Sequence, residues 1–288
     1  MAMSASQMTL AGAFLALTIS LGLCRIRGVS RAVRVYLPYL WTFFLVFTLI
    51  DLVSVTLGIW TLAALCFLAL REYFTLTDLR YQDRWAVLAA YAAIPFMFYF
   101  VQIDWYGMFI ISLPVYVLLV VPFLITLGGK DPRGAVLSVG IIVLGLMLLV
   151  YCVGHIGYLA RYSTWMAAYV VLAVAACDLL AYLFRARDRS PLRSILLQLL
   201  APAPVTTGLA LLLMPWTEIP AGHSVALALM IPVLVAMGCH TIDYLEADLG
   251  IERDRLHPGR GQILNELKSF VYVAPVTFHY LRYMLDVF

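Results

Sequence analysis

Charge is what this chain has least of. Of its 288 residues only 12% are Asp, Glu, Lys or Arg, against 64% hydrophobic, a balance that excludes a water-soluble domain with an ordinary polar surface. Cysteine is scarce too. The five, at 24, 66, 152, 177 and 239, sit in or beside apolar segments without a C-x-x-C pair, so buried, unpaired thiols are expected. Low-complexity linkers and internal repeats are missing, and so are the alternating ten-residue segments of a membrane β-barrel. No basic residue precedes the first apolar stretch, Met8 to Cys24, and no small-residue cleavage site closes it, which reads as a retained span rather than a removed signal peptide.

What the chain has in quantity is apolar sequence of bilayer length. Nine stretches qualify, at 7–24, 35–51, 54–70, 85–102, 107–127, 134–157, 164–184, 194–215 and 223–245. With no water in the bilayer core, each backbone N–H and C=O must be satisfied within its own segment, so spans of this length are helices. The expected fold is all-α, a polytopic integral membrane protein of one domain over 1–288, with about nine transmembrane helices. A C-terminal apolar helix follows, either lying along the interface or crossing as a tenth span.

Basic residues are nearly absent from one set of loops. Seventeen of the nineteen lie in the segments 25–34, 71–84, 130–133, 185–193 and 253–268, the opposite loops hold Arg161, and Arg282 sits in the last apolar helix. This bias places the first set in the cytoplasm, with the plasma (inner) membrane as the expected location. The four arginines from Arg185 to Arg193 suit anionic headgroups or topology signalling equally well.

The least membrane-like stretch is Asp243 to Lys268, DYLEADLGIERDRLHPGRGQILNELK, and the motif loop 246–268 within it is where soluble-substrate chemistry is expected. His257-Pro258-Gly259-Arg260-Gly261 combines a fixed φ with two glycines that let a ligand approach the backbone; a plain tight turn fits the same five residues. Asp178 lies inside the seventh span, where a carboxylate needs a cavity, a partner or an ion. His240, Asp243 and Glu246 are spaced by three and share part of one helical face. They form either a metal-holding cluster with Asp178 or a helix end reaching for water. His155, His223 and His279 read as isolated packing or interfacial residues, and Arg71-Glu72-Tyr73 as a helix-end anchor.

The order of these pieces resembles the phosphatidate cytidylyltransferases, the CDP-diacylglycerol synthases. Members carry a stretch like G-D-x-x-x-S-x-x-K-R, then P-G-H-G-G-x-x-D-R-x-D-S, then a final helix rich in Ala, Pro and Val. The skeleton is visible here in Gly238, Gly250-Ile251, Arg253-Asp254, Pro258-Gly259, Gly261, Ile263-Leu264, Ser269 and Ala274-Pro275-Val276. Weaker echoes are Asp178 with Ala181-Tyr182-Leu183-Phe184, Ser190-Pro191, and Ala69 to Tyr73. The resemblance implies a membrane enzyme that joins CTP to phosphatidic acid with release of pyrophosphate, helped by Mg²⁺ held on carboxylates.

At those carboxylates the sequence departs from the pattern. Cys239 stands where the family has its first aspartate, and Asn265 and Lys268 where it has the two of D-R-x-D. Glu246 and Ala247 replace the Lys-Arg pair, Arg260 the motif histidine, Gln262 a glycine and Glu266 an arginine. A rebuilt site would use Asp178, Asp243 and Lys268 as its catalytic residues, with Asp178, Asp243 and Glu246 as metal ligands. Arg253, Arg260 and Lys268 would meet phosphates, and Pro258, Gly259, Gly261 and Asn265 would shape the pocket. The partners are then phosphatidic acid or a related anionic phospholipid, and CTP, with no nucleic acid; a homodimer is left open. The alternatives are a family fold that has lost catalysis and serves as a lipid-binding, regulatory or scaffold protein, or a small lipid transporter.

Overall fold

The computed structural model describes residues 4–26, 31–128, 131–185, 197–250 and 262–285, and the regular elements among these are all helical. In chain order they are α1 (Ala5–Ile26), α2 (Arg31–Thr48), α3 (Val55–Leu76), α4 (Arg84–Gln102), α5 (Tyr106–Ile111), α6 (Leu118–Gly128), α7 (Ala135–Leu146) and α8 (Cys152–Tyr162). They continue as α9 (Thr164–Arg185), α10 (Pro202–Thr217), α11 (Ala221–Asp248), α12 (Gln262–Leu267) and α13 (Phe270–Leu285). π-helical turns extend α2 to Val53 and join α5 to α6 and α7 to α8, so each of these pairs makes one continuous crossing.

Eight of the described runs are long and apolar enough to cross a membrane, and Leu37–Val53 is a shorter apolar helix. These nine correspond one for one with the nine expected spans: the protein is a polytopic integral membrane protein. Boundaries differ where a helix outruns its apolar part. α3 continues to Leu76 rather than residue 70, because backbone hydrogen bonding persists through the charged pair Arg71-Glu72. The crossing expected to stop at 157 runs to Tyr162, and Arg161 near its end lies 3.9 Å from Asp104.

α9 is the central helix. It packs against α2, α8, α10, α11 and α13, and Trp165 to Val171 are all buried along it. α1 lies at the periphery, where the Trp165 indole N–H donates to Ser6 Oγ at 2.7 Å and that of Trp41 to Thr18 Oγ1 at 2.9 Å. With little hydrophobic driving force between helices in lipid, such polar pins and close backbone contacts hold the bundle.

α13 answers the question left by the last apolar segment. At one end Phe270 meets Tyr39 and Phe43; at the other, the Arg282 guanidinium lies 3.9 Å from the centre of the Tyr106 ring and His223 bonds Tyr280 at 2.9 Å. The helix therefore traverses the bundle instead of lying along its surface. Phe270, Val273, Ala274, Thr277, Phe278 and Leu281 are buried in the protein, so its 16 residues, rising about 24 Å, need not match the bilayer on their own.

Candidate functional site

Three helices bring their C-terminal halves to one end of the bundle: α3 with Glu72, α9 with Asp178 and α11 with Asp243. α12 and the start of α13 close over them. Ser269, in the two-residue joint between α12 and α13, is 1% exposed; its hydroxyl donates to Asp178 Oδ1 at 2.8 Å and lies 3.3 Å from Cys239 Sγ. Beside it the Lys268 ammonium donates to Asp243 Oδ1 at 2.8 Å, the lysine side chain 15% exposed and the aspartate 42%. A cavity of about 20 Å³, room for one water, is lined by Tyr73, Gly145, Glu246, Leu264 and Lys268 among others.

The local reasons are simple. Asp178 follows the buried run of α9, so its carboxylate meets protein rather than lipid, and the Ser269 hydroxyl supplies a hydrogen bond that burial would otherwise remove. Lys268 N donates to Leu264 O and Val271 N to Lys268 O, which carries the chain from α12 into α13 and aims the lysine at α11. A Cβ at Gly238 would come within 3.2 Å of the Lys268 carbonyl, so the absent side chain lets α11 approach this joint.

Asp178, Asp243 and Lys268 are thus brought together from positions up to 90 residues apart, and Glu246, buried at 4%, faces the adjoining cavity. Asn265 lies on α12, half-buried, one turn before Lys268. Arg253, Pro258, Gly259, Arg260 and Gly261 fall outside the described residues. The expected face of His240, Asp243 and Glu246 divides: His240 is exposed, Asp243 intermediate and Glu246 buried, because steps of three slip by about 60° each on a helix of 3.6 residues per turn. Nor are the other histidines isolated. His155 and His279 have ring centres 5.2 Å apart in an aromatic cluster at the opposite end, where His279 Nδ1 meets Tyr106 Oη at 3.1 Å.

The acids expected to hold a metal have other partners here. A divalent ion such as Mg²⁺ requires several oxygens converging on one point. Here Asp178 Oδ1 takes the Ser269 hydroxyl and Asp243 Oδ1 the Lys268 ammonium, and among the described residues no group of three or more His, Cys, Asp or Glu is placed to hold a metal ion. Asp178, Asp243 and Glu246 as arranged do not fit a carboxylate-held cation, because an ammonium and a hydroxyl already satisfy two of them.

Two residues were missed by sequence reasoning. Ser269 was visible as a motif position, yet nothing in the sequence showed that it would bridge Asp178 and Cys239. Glu72, read as part of a helix-end anchor, accepts hydrogen bonds through Oε2 from the backbone N–H groups of Ile263 at 3.0 Å and Leu264 at 3.2 Å, 191 and 192 residues away.

The profile of the cytidylyltransferase family matches residues 33–186, just over half of the chain. The match takes in Glu72 and Asp178 and ends before Gly238, where the motif likeness of the C-terminal stretch begins. The chain is also similar to the uncharacterized protein YnbB of Escherichia coli (strain K12), 24% identical over an alignment of 244 residues, with 77% of this chain and 78% of the relative covered. No solved structure matches. With this profile matching over 33–186, more than half of its length, the chain belongs to the cytidylyltransferase family.

Proposed function

We propose that the protein is a phosphatidate cytidylyltransferase-like membrane protein that binds phosphatidic acid, or a related anionic phospholipid, together with CTP. The observation that supports this most is the convergence of Asp178, Asp243, Lys268 and Ser269 at one end of the bundle in a chain of this family. The loops at that end carry the basic bias, which favours the cytoplasm, where CTP is, and the plasma (inner) membrane.

In the proposed reaction a phosphate oxygen of phosphatidic acid attacks the α-phosphorus of CTP. The bond from that phosphorus to the β-phosphate bridging oxygen breaks, pyrophosphate leaves, and CDP-diacylglycerol is formed. Negative charge grows on the attacked phosphoryl group and the leaving pyrophosphate. Lys268, aimed by Asp243, holds a fixed positive charge at this end of the bundle, where a preorganised cation stabilises developing anions most. Arg253 and Arg260, which lie outside the described residues, are the further phosphate contacts of this reading.

A second reading, lipid binding without nucleotidyl transfer in a regulatory or scaffold role, is favoured by the same hydrogen bonds, since both central acids have internal partners. A transport role draws no support from His240, which is exposed, or from His155, enclosed by Phe109, Tyr151 and Phe278.

The deciding test is transfer of radiolabelled cytidine nucleotide from CTP to phosphatidic acid by the purified full chain in detergent, with and without Mg²⁺, beside Asp243→Ala. Product that disappears in the variant while the thermal unfolding profile is kept supports transfer at this site. Unchanged turnover in Asp243→Ala sinks the proposed site, and a folded wild type that binds phosphatidic acid without forming product moves the assignment to the second reading.

A further inference from the structure

We infer that Glu72 is a positioning residue: from α3 it clamps the start of α12 and thereby fixes Lys268 against Asp243. Its importance for chemistry rests on the function proposed above; the clamp itself does not.

α12 is six residues long, well short of the length at which a helix is stable alone, and its first N–H groups have no partners within the helix. Glu72 Oε2 accepts two of them, from Ile263 and Leu264. A carboxylate in that place forms charge-assisted bonds and complements the positive end of the helix dipole. One turn after Leu264 comes Lys268, whose N–H bonds Leu264 O at 3.1 Å and whose ammonium reaches Asp243. Leu264 and Lys268 also share the small cavity with Tyr73, the neighbour of Glu72. The path Glu72, Leu264, Lys268, Asp243 is thus continuous in bonds and contacts. Removing its first member loosens α12, which turns the lysine away from its acid while leaving α3 and α11 intact.

The clamp also joins two parts of the chain that differ in how they relate to the family. Glu72 lies inside the matched stretch 33–186, whereas Ile263, Leu264 and Lys268 lie beyond it. A short helix so far along the chain needs a tertiary anchor, and α3 provides it.

The test is hydrogen–deuterium exchange on the full chain in detergent, following peptides that cover 262–268, in wild type, Glu72→Ala and Glu72→Gln. In Glu72→Ala these amides are expected to exchange roughly ten- to a hundred-fold faster, the equilibrium equivalent of losing a charge-assisted hydrogen bond, with α9 and α13 unchanged. Glu72→Gln keeps an accepting oxygen without the charge, so its exchange should fall between the two. Exchange in Glu72→Ala within twofold of wild type overturns the inference. If Glu72→Ala does not fold, Glu72→Gln decides alone: faster exchange confined to 262–268 upholds the clamp and unchanged exchange overturns it. In the transfer assay, Glu72→Ala should lower kcat about tenfold, and Glu72→Gln should recover most of it. Faster exchange in Glu72→Ala, with no transfer by the wild type, would leave the clamp standing and the proposed reaction refuted.

Discussion

Breaking the pair between Lys268 and Asp243 should cost measurable stability and should change what Asp243 can bind. Coulomb's law at an effective dielectric of about 20 gives roughly 6 kcal/mol for unit charges about 3 Å apart. That is an upper figure, because the Asp243 side chain keeps 42% of its exposure and water screens it, while the more buried lysine must be desolvated. Between the small worth of exposed pairs and the larger penalty for breaking buried ones, the net coupling should be about 1–2 kcal/mol. The assay is a double-mutant cycle of Lys268→Met, Asp243→Asn and the double variant, with unfolding free energies from SDS titration in mixed micelles. A coupling below about 0.3 kcal/mol, the ordinary scatter of independent sites, would refute the ion pair as an organising contact. Mn²⁺ binding read by electron paramagnetic resonance extends the argument. Wild type should show no Mn²⁺ site that depends on Asp243, since the ammonium repels the ion, while Lys268→Asp should gain one. Tight Mn²⁺ binding by wild type that Asp243→Asn abolishes would show that the lysine does not replace a metal here.

Other outcomes follow from the same geometry. Ser269→Ala removes a buried hydroxyl bonded to Asp178 and adjacent to Cys239, and should destabilise the protein by about 1–3 kcal/mol in the same SDS titration. Gly145→Val should cost about 1–3 kcal/mol through overpacking, because even a Cβ at Gly145 would sit 2.6 Å from Tyr73 Cε1. Single cysteines at Tyr81 and Tyr162, both exposed positions at opposite ends of the bundle, should report orientation in intact cells. A membrane-impermeant maleimide should label Tyr162→Cys and spare Tyr81→Cys, and the reverse pattern would overturn the cytoplasmic placement of the site.

Most of the fold was legible because bilayer physics leaves few choices. Apolar length set the nine spans, and only the ends moved, as at α3, where Arg71 and Glu72 prolong a helix that hydropathy alone stops at residue 70. The path of α13 was not legible: an apolar helix with one arginine suits an interface, a span or a protein core, and only the contacts of Phe270 at one end and Arg282 at the other decide. The site was half legible. Asp178 and Asp243 stood out because acids near a bilayer are expensive. Their partners were hidden, since Ser269 and Glu72 act through contacts 91 and 191 residues away in sequence, and no local periodicity encodes such distances. The His240, Asp243, Glu246 cluster misled because spacing by three approximates one helical face over a single step and departs from it over two.

The exchanged motif residues make sense when taken together with their contacts. Set beside the motif that the C-terminal stretch resembles, position 239 carries a thiol and position 268 a base where that motif has acids. Asp243, one turn beyond Cys239, pairs with the Lys268 ammonium, and the thiol of Cys239 sits beside the Ser269 hydroxyl that donates to Asp178. An acid at 268 would face Asp243 with no cation between them, leaving a partly buried like-charge pair uncompensated. The arrangement seen here is balanced, an ammonium on one acid and a hydroxyl on the other. Restoring an acid at 268 alone should therefore destabilise the protein unless a cation is added. The dependence of Lys268→Asp stability on divalent ion would be the sharpest evidence that this lysine stands in for one.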